Sequence, residues 1–139
     1  MRVVLDTNVV ASGLLWAGPP RQLLDSARKQ QLQLFTSPTL LMELADILSR
    51  QKFARKLAAA KFSGEQLVER YAWLNTVVYP TAIAPIIIED PDDDHVIACA
   101  LVANAQLIIS GDRHLLDLKQ YQSIRIVKAA DAVRILTGT

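Results

Sequence analysis

The chain has 139 residues, of which 51% are hydrophobic and 21% charged, and its formal net charge is +1. This composition excludes a disordered chain and predicts one globular domain over residues 1–139, long enough to bury a core. The near-zero net charge gives no general attraction to polyanions, so any affinity for nucleic acid has to come from a local patch.

Apolar segments are too short to cross a membrane, and Asp6 interrupts the first of them before a signal-peptide core could form. We therefore expect a cytoplasmic protein. The single cysteine, Cys99, excludes a disulfide within the chain and is expected to be a small buried residue.

The first half of the chain alternates apolar strands with helices. The stretch RVVLD at 2–6 is apolar without alternation, as in a strand that is buried on both faces. Asn8 is a suitable N-cap for the helix that follows. Further predicted elements are a helix opened by Gly-Pro-Pro at 18–20, a strand at 32–36, a helix capped by Ser37 with Pro38 at its first position, a helix at about 52–61, and a helix opened by a Ser63–Gln66 capping box.

The second half continues the alternation. Its predicted elements are a short strand in TVVYP, an extended connection in TAIAPIII, an apolar helix at 96–103, a strand at 106–110, a short helix in GDRHLLDL, a strand in SIRIV and a closing helix in AADAVRIL. Strands that alternate with helices predict parallel pairing through right-handed crossovers. We therefore predict an α/β fold, a three-layer α/β/α sandwich.

A dense acidic run precedes the apolar helix. The stretch EDPDDDHVIACA at 89–100 places five of the chain's 14 carboxylates in its first six positions. Helix capping explains one or two acids. Two carboxylates about 4 Å apart repel by about 4 kcal/mol at an effective dielectric constant of about 20, so the excess favours a hard divalent cation.

Four acids from separate segments are expected to meet at one edge of the sheet, because ligands of open parallel sheets bind beyond the carboxyl ends of the strands. Asp6 ends the first strand, and Asp112 follows the strand at 106–110. Asp94 begins the apolar helix, and Glu43 lies in the second turn of the helix after the second strand. Each alone is also compatible with a turn, a cap or an exposed helix surface.

Such a site supports metal-assisted attack on a phosphodiester, with one or two Mg²⁺ or Mn²⁺ ions and no side-chain nucleophile. Asn8 and Ser110 are candidate supporting residues beside the acids. His95 and His114 flank the acids and are expected to be polar surface residues rather than ligands.

Four stretches form an ordered set along the chain, namely VVLDTNVV, SPTLLMEL, DPDDDHVIACAL and LIISGDRHLL. They resemble the successive motifs of the PIN-domain nucleases, and the similarity continues to IRIVKAADAV near the end. Within that family the chain most resembles the bacterial, VapC-like group of toxin components of toxin–antitoxin systems.

The resemblance implies a parallel five-stranded sheet in the order 3-2-1-4-5 and a divalent-metal-dependent ribonuclease. It also implies a homodimer and a cognate antitoxin protein that blocks the site. Carried over by position, the catalytic and metal-binding residues are Asp6, Glu43, Asp94 and Asp112, with Asn8 as the companion of Asp6. The neighbouring aspartates are interpreted as supporting or capping residues: Asp90, Asp92 and Asp93. Relatives often have a further acid where His114 stands, so a second ion that depends on that acid would be bound weakly here.

A basic segment follows the Glu43 helix and is a candidate substrate track, because phosphate contacts position a nucleic acid. The candidate RNA-binding residues are Arg50, Lys52, Arg55, Lys56 and Arg113. The alternative is a solvated helix surface.

Two other functions remain open from the residues alone. A phosphatase with an aspartyl nucleophile needs a second acid two residues after Asp6, where this chain has Asn8. A non-catalytic module that binds nucleic acid or a partner protein would keep the fold without turnover, and metal-dependent cleavage distinguishes it from a nuclease.

Overall fold

A computed structural model describes residues 1–81 and 93–138. In these residues a central six-stranded sheet has the order β3-β2-β1-β4-β6-β5. Its strands are β1 (Arg2–Leu5), β2 (Gln33–Thr36), β3 (Asn75–Val77), β4 (Leu107–Ile109), β5 (Gln120–Tyr121) and β6 (Ile124–Val127).

The parallel part of the sheet confirms the predicted fold class. The five strands β3, β2, β1, β4 and β6 pair in parallel in that order. The strand count differs from the prediction because Gln120 and Tyr121 pair antiparallel with β6 and form one further edge strand. Two residues without a β-branched side chain give too weak a pattern for a strand to be predicted.

Helices cover both faces of the sheet. They are α1 (Thr7–Leu15), α2 (Pro19–Arg28), α3 (Pro38–Leu48), α4 (Ala54–Ala59), α5 (Gly64–Trp73), α6 (Asp93–Ala103), α7 (Arg113–Leu118) and α8 (Ala129–Thr137), with a 3₁₀ turn at Gln51–Phe53 before α4. Across 1–81 and 93–138, no helix combines the length and the apolar character needed to cross a bilayer.

Two of the three predicted N-caps are confirmed. The backbone N–H of Leu40 donates to Ser37 Oγ at 3.2 Å, and Ser63 and Gln66 form the reciprocal capping box. The predicted cap at Asn8 is wrong, because the chain turns from β1 directly into α1 and Asp6 occupies the N-cap position. The predicted connection TAIAPIII lies at 81–88, nearly all of it outside the described residues.

Strand β1 is buried on both faces, as its unbroken apolar pattern predicts. Val3 and Leu5 belong to the hydrophobic core that also holds side chains of α1, α2 and α3. Val4 belongs to the second core, beneath α6. This central position fixes the end of β1, and therefore Asp6, against the middle of the sheet.

Candidate active site

A cavity of about 560 Å³ lies where β1 and β4 end. Most of the charged side chains in its wall are acidic. Among the described residues that line it, the charged ones are Asp6, Glu43, Asp46, Asp93, Asp112 and Arg50. With all six ionised, these side chains carry a formal charge of −4, which favours the binding of cations.

Asp6 is held at the end of β1 by contacts on both its backbone and its side chain. Its backbone N–H donates to the carbonyl of Ile109 at 2.9 Å, which continues the pairing of β1 with β4. The carboxylate, on a residue only 5% exposed, accepts a hydrogen bond from Ser110 Oγ at 2.7 Å. Asp6 is therefore an oriented acceptor at the cavity wall.

Ser110 joins two of the acidic segments. Its hydroxyl is buried and donates to Asp6, while its oxygen accepts the backbone N–H of Asp112 at 2.9 Å. Because the one hydroxyl proton is used toward Asp6, the hydrogen-bond direction is determined. The predicted supporting residue thus lies behind the cavity and links its acids.

Asp112 caps α7 with one oxygen of its carboxylate. Its Oδ1 accepts the backbone N–H groups of His114 at 2.8 Å and of Leu115 at 3.3 Å. The cap does not use Oδ2. A single aspartate can therefore both begin the helix and present an oxygen to a ligand.

Helix α3 lines the cavity with one of its faces. Thr39, Glu43 and Asp46 follow one another at intervals of three or four residues, the spacing of one helix face, and line the cavity together with Arg50, which lies just after the end of α3. Asp46 and Thr39 were not predicted, although their spacing from Glu43 is the signal that identifies them. Arg50 pairs with Asp46 at 3.3 Å, and both side chains are more than half exposed, so this ion pair contributes little stability.

The start of α6 contributes Asp93 to the cavity. Asp93 is 6% exposed and lines the wall, whereas Asp94 is half-buried and is not among the described lining residues. Successive residues of a helix point about 100° apart, so one of two adjacent aspartates faces a given wall. Asp93 therefore lies in the cavity wall. The catalytic and metal-binding role predicted for Asp94 stays a prediction.

One of the two histidines joins the acids. Asp93, Asp112 and His114 each offer one ligand atom, and these atoms lie within 4.8 Å of one another. His114 Nδ1 is 3.9 Å from Asp112 Oδ1. His95 is exposed, as predicted for both histidines. The feature of the sequence that could have pointed to His114 as a candidate ligand is its position two residues after Asp112, the N-cap of α7.

The family model described as PIN domain matches residues 2–114, which include all five acids among the described residues that line the cavity. The chain belongs to the PIN-domain family. PIN domains are in general metal-dependent nucleases and act on nucleic acids. No curated protein matches this chain.

The donor set of this PIN domain fits a divalent metal ion. Carboxylate oxygens are hard ligands, which Mg²⁺ and Mn²⁺ prefer. The acids come from the end of β1, from α3 and from the starts of α6 and α7, so the folded chain brings together groups that are far apart in sequence.

Most of the predicted basic residues lie away from the cavity of the PIN domain. Arg50 lines it, but Lys52, Arg55, Lys56 and Arg113 are not among its described lining residues. Two of the lysines cover an aromatic pair instead, with Lys52 Nζ over Phe53 at 5.1 Å and Lys56 Nζ over Trp16 at 5.6 Å. Among the described residues of the predicted substrate track, the one that lines the cavity is therefore Arg50.

Proposed function

We propose that this protein is a ribonuclease that hydrolyses RNA phosphodiesters with Mg²⁺ or Mn²⁺. The observation that carries the proposal is the convergence, in a PIN domain, of carboxylates from four separate segments on one cavity. A binding module has no need of so many acids in one cavity, whereas metal-assisted hydrolysis uses them as ligands.

Asp6, Glu43, Asp93 and Asp112 are the residues that would hold one or two ions. When bound, such ions activate water and stabilise the leaving oxygen of a phosphodiester. Ser110 orients the Asp6 carboxylate, and Asn8 lies beside it in the same wall. Arg50, which also lines the cavity, would contact a phosphate of the substrate.

The decisive experiment follows cleavage of a mixed set of labelled RNAs by the purified protein with Mg²⁺ or Mn²⁺ and with EDTA. We expect cleavage that requires the ion and that falls at least about 100-fold in Asp6→Asn, because a ligand supplies several kcal/mol of transition-state stabilisation through the metal. A folded protein that binds these RNAs with metal but leaves them intact would indicate the non-catalytic binding module.

Adjacent aspartates give a matched pair of variants within the same experiment. Asp93→Asn and Asp94→Asn make the same chemical change one residue apart. We expect the loss of cleavage to be large for Asp93→Asn and at most a fewfold for Asp94→Asn, because Asp93 lines the cavity. The reverse order would restore the assignment predicted from the sequence.

We further propose that the ribonuclease is the toxin of a toxin–antitoxin system, acts in the cytoplasm as a homodimer and is blocked by a cognate antitoxin protein. The support is membership of the PIN family and the similarity of DPDDDHVIACAL to the toxin group. Growth arrest on expression of the wild-type chain but not of Asp6→Asn tests the toxin role, and light scattering tests the dimer.

A further inference from the structure

A nitrogen donor, His114, lies beside two of the acids that line the cavity, although His114 itself is not among the described lining residues. His114 shares with Asp93 and Asp112 a space in which one ligand atom of each lies within 4.8 Å of the others. The His114 side chain is 34% exposed and that of Asp112 is 28% exposed, so both are partly withdrawn from water.

Hydrogen bonds hold the backbone of His114 at this position. Its N–H donates to Asp112 Oδ1 at 2.8 Å, and the N–H of Asp112 in turn donates to the buried hydroxyl of Ser110 at 2.9 Å. The imidazole is therefore attached to a fixed point beside the acids, and its remaining freedom is rotation of its own side chain.

The ligand atoms of Asp93, Asp112 and His114 are close enough to bind one ion together after a small side-chain movement. Two ligands bonded to one ion at about 2.1 Å each lie no more than about 4.2 Å apart. The three ligand atoms all lie within 4.8 Å of one another, slightly beyond that limit. A side-chain rotation of the partly exposed histidine supplies the difference.

We infer that His114 is a direct metal ligand and that it makes the site selective for a divalent first-row transition ion, such as Mn²⁺ or Co²⁺, over Mg²⁺. Mg²⁺ takes oxygen ligands and keeps much of its water, whereas an imidazole nitrogen is a good ligand for transition ions. This metal site is the one used in the proposed function, and the inference rests on the proposed function in that respect alone.

The test reads coordination directly, without substrate. The chain has two histidines, and the exposed His95 supplies the matched control. Tag-free protein labelled with ¹⁵N only in histidine is loaded with Mn²⁺, and pulsed electron paramagnetic resonance detects nitrogen bonded to the ion. We expect the ¹⁵N coupling in the wild type and in His95→Gln, and its loss in His114→Gln.

Metal affinities measured by calorimetry give the second readout. We expect Co²⁺ to bind at least about tenfold more tightly than Mg²⁺, and the ratio of the two affinities to fall about tenfold in His114→Asp but not in His95→Asp. His95→Gln leaves His114 as the one histidine of the sequence, so ¹⁵N coupling in that variant decides the matter even if a His114 variant does not fold.

Absence of ¹⁵N coupling in the wild type, or an unchanged affinity ratio in folded His114→Asp, would overturn the inference. Neither result would affect the proposed nuclease, which is judged by RNA cleavage. Conversely, a protein with the coupling that cuts no RNA would keep this metal site and lose the proposed function.

Discussion

Ser110 is the residue on which the arrangement of the cavity depends most directly, although it does not line the cavity. Its buried hydroxyl donates to Asp6 and accepts from the N–H of Asp112, so one side chain sets the relative position of residues after β1 and β4. A residue that orients metal ligands affects the site through them.

Replacing Ser110 with alanine removes both hydrogen bonds. We expect Ser110→Ala to weaken divalent-metal affinity by about 10- to 100-fold, the usual cost of losing a partner of a ligand, and to lower the free energy of unfolding by about 1–2 kcal/mol. Calorimetric titration with Mn²⁺ and urea unfolding measure the two effects. Ser26→Ala, on α2 and half-buried, is the control for metal affinity. Unchanged Mn²⁺ affinity in folded Ser110→Ala would show that Asp6 needs no such support.

The acids were predictable to different extents. Asp6 and Asp112 follow strand ends, and a strand end is visible in the sequence, so both line the cavity as expected. The choice between Asp93 and Asp94 depends on the residue at which α6 begins, and a run of three aspartates does not specify it. His114 escaped prediction because a histidine near a turn is ordinary until folding brings Asp93 to it.

At the scale of elements, α1 and α2 make an unusually close contact at Gly13. A Cβ atom built on Gly13 would lie 3.0 Å from Leu24 Cδ1 and 3.0 Å from the backbone C and O of Pro20. Arg21 of α2 also donates to the carbonyls of Gly13 and Leu14, each at 3.1 Å, which satisfies the end of α1. The loop between the two helices can be short because of this approach.

Gly13→Ala is therefore expected to destabilise the protein, even though alanine favours helices by about 1 kcal/mol over glycine. Overpacking against the Pro20 backbone costs about 1–3 kcal/mol, so after the gain in helix propensity the net loss should be up to about 2 kcal/mol. Urea unfolding measures it. Gly64→Ala is the matched control, because its Cβ would meet only Leu48 Cβ at an ordinary 3.8 Å. A Gly13→Ala variant more stable than the wild type would show that the contact with Pro20 has room for a Cβ atom.

The elements themselves were largely predictable because local signals and burial agree. Ser37 followed by proline, and Ser63 with Gln66, mark helix starts that the structure confirms. The α1 cap was misplaced because Asn8 is as good a capping residue as Asp6, and only the end of β1 decides between them. The packing of α1 on α2 was not visible, since a glycine in a helix specifies no partner.

Over the whole molecule, charge is distributed unevenly. The described side chains that line the cavity carry a formal −4 while the whole chain carries +1, so all other residues together carry a formal +5. The acidic wall would therefore repel a polyanion, and divalent ions bound in the cavity would reduce that repulsion. The net charge of +1 therefore does not reveal how unevenly the charged residues are distributed.

Burial also gives the whole molecule a pH-dependent stability. Cys99, on α6, is fully buried, and burial raises the pKa of its thiol to about 12. Tyr71, on α5, has its pKa raised chiefly by burial as well. Both groups are neutral when protonated, so the folded chain holds these protons more tightly than the unfolded chain does.

The direction of the pH dependence follows from the raised pKa of the Cys99 thiol. The stabilisation is complete below the unfolded pKa of Cys99, about 8.5, and is lost as pH rises toward about 12, by up to about 1.4 kcal/mol per pH unit. Urea unfolding from about pH 8 to about pH 10, below most of the Tyr71 titration, should show the free energy of unfolding falling in the wild type. Cys99→Ala should be less stable than the wild type near pH 8 because of the small cavity it leaves, and its decline with pH should be shallower by about 1 kcal/mol per unit. Parallel curves for the two proteins would mean that the thiol of Cys99 titrates in the folded chain as it does in the unfolded one.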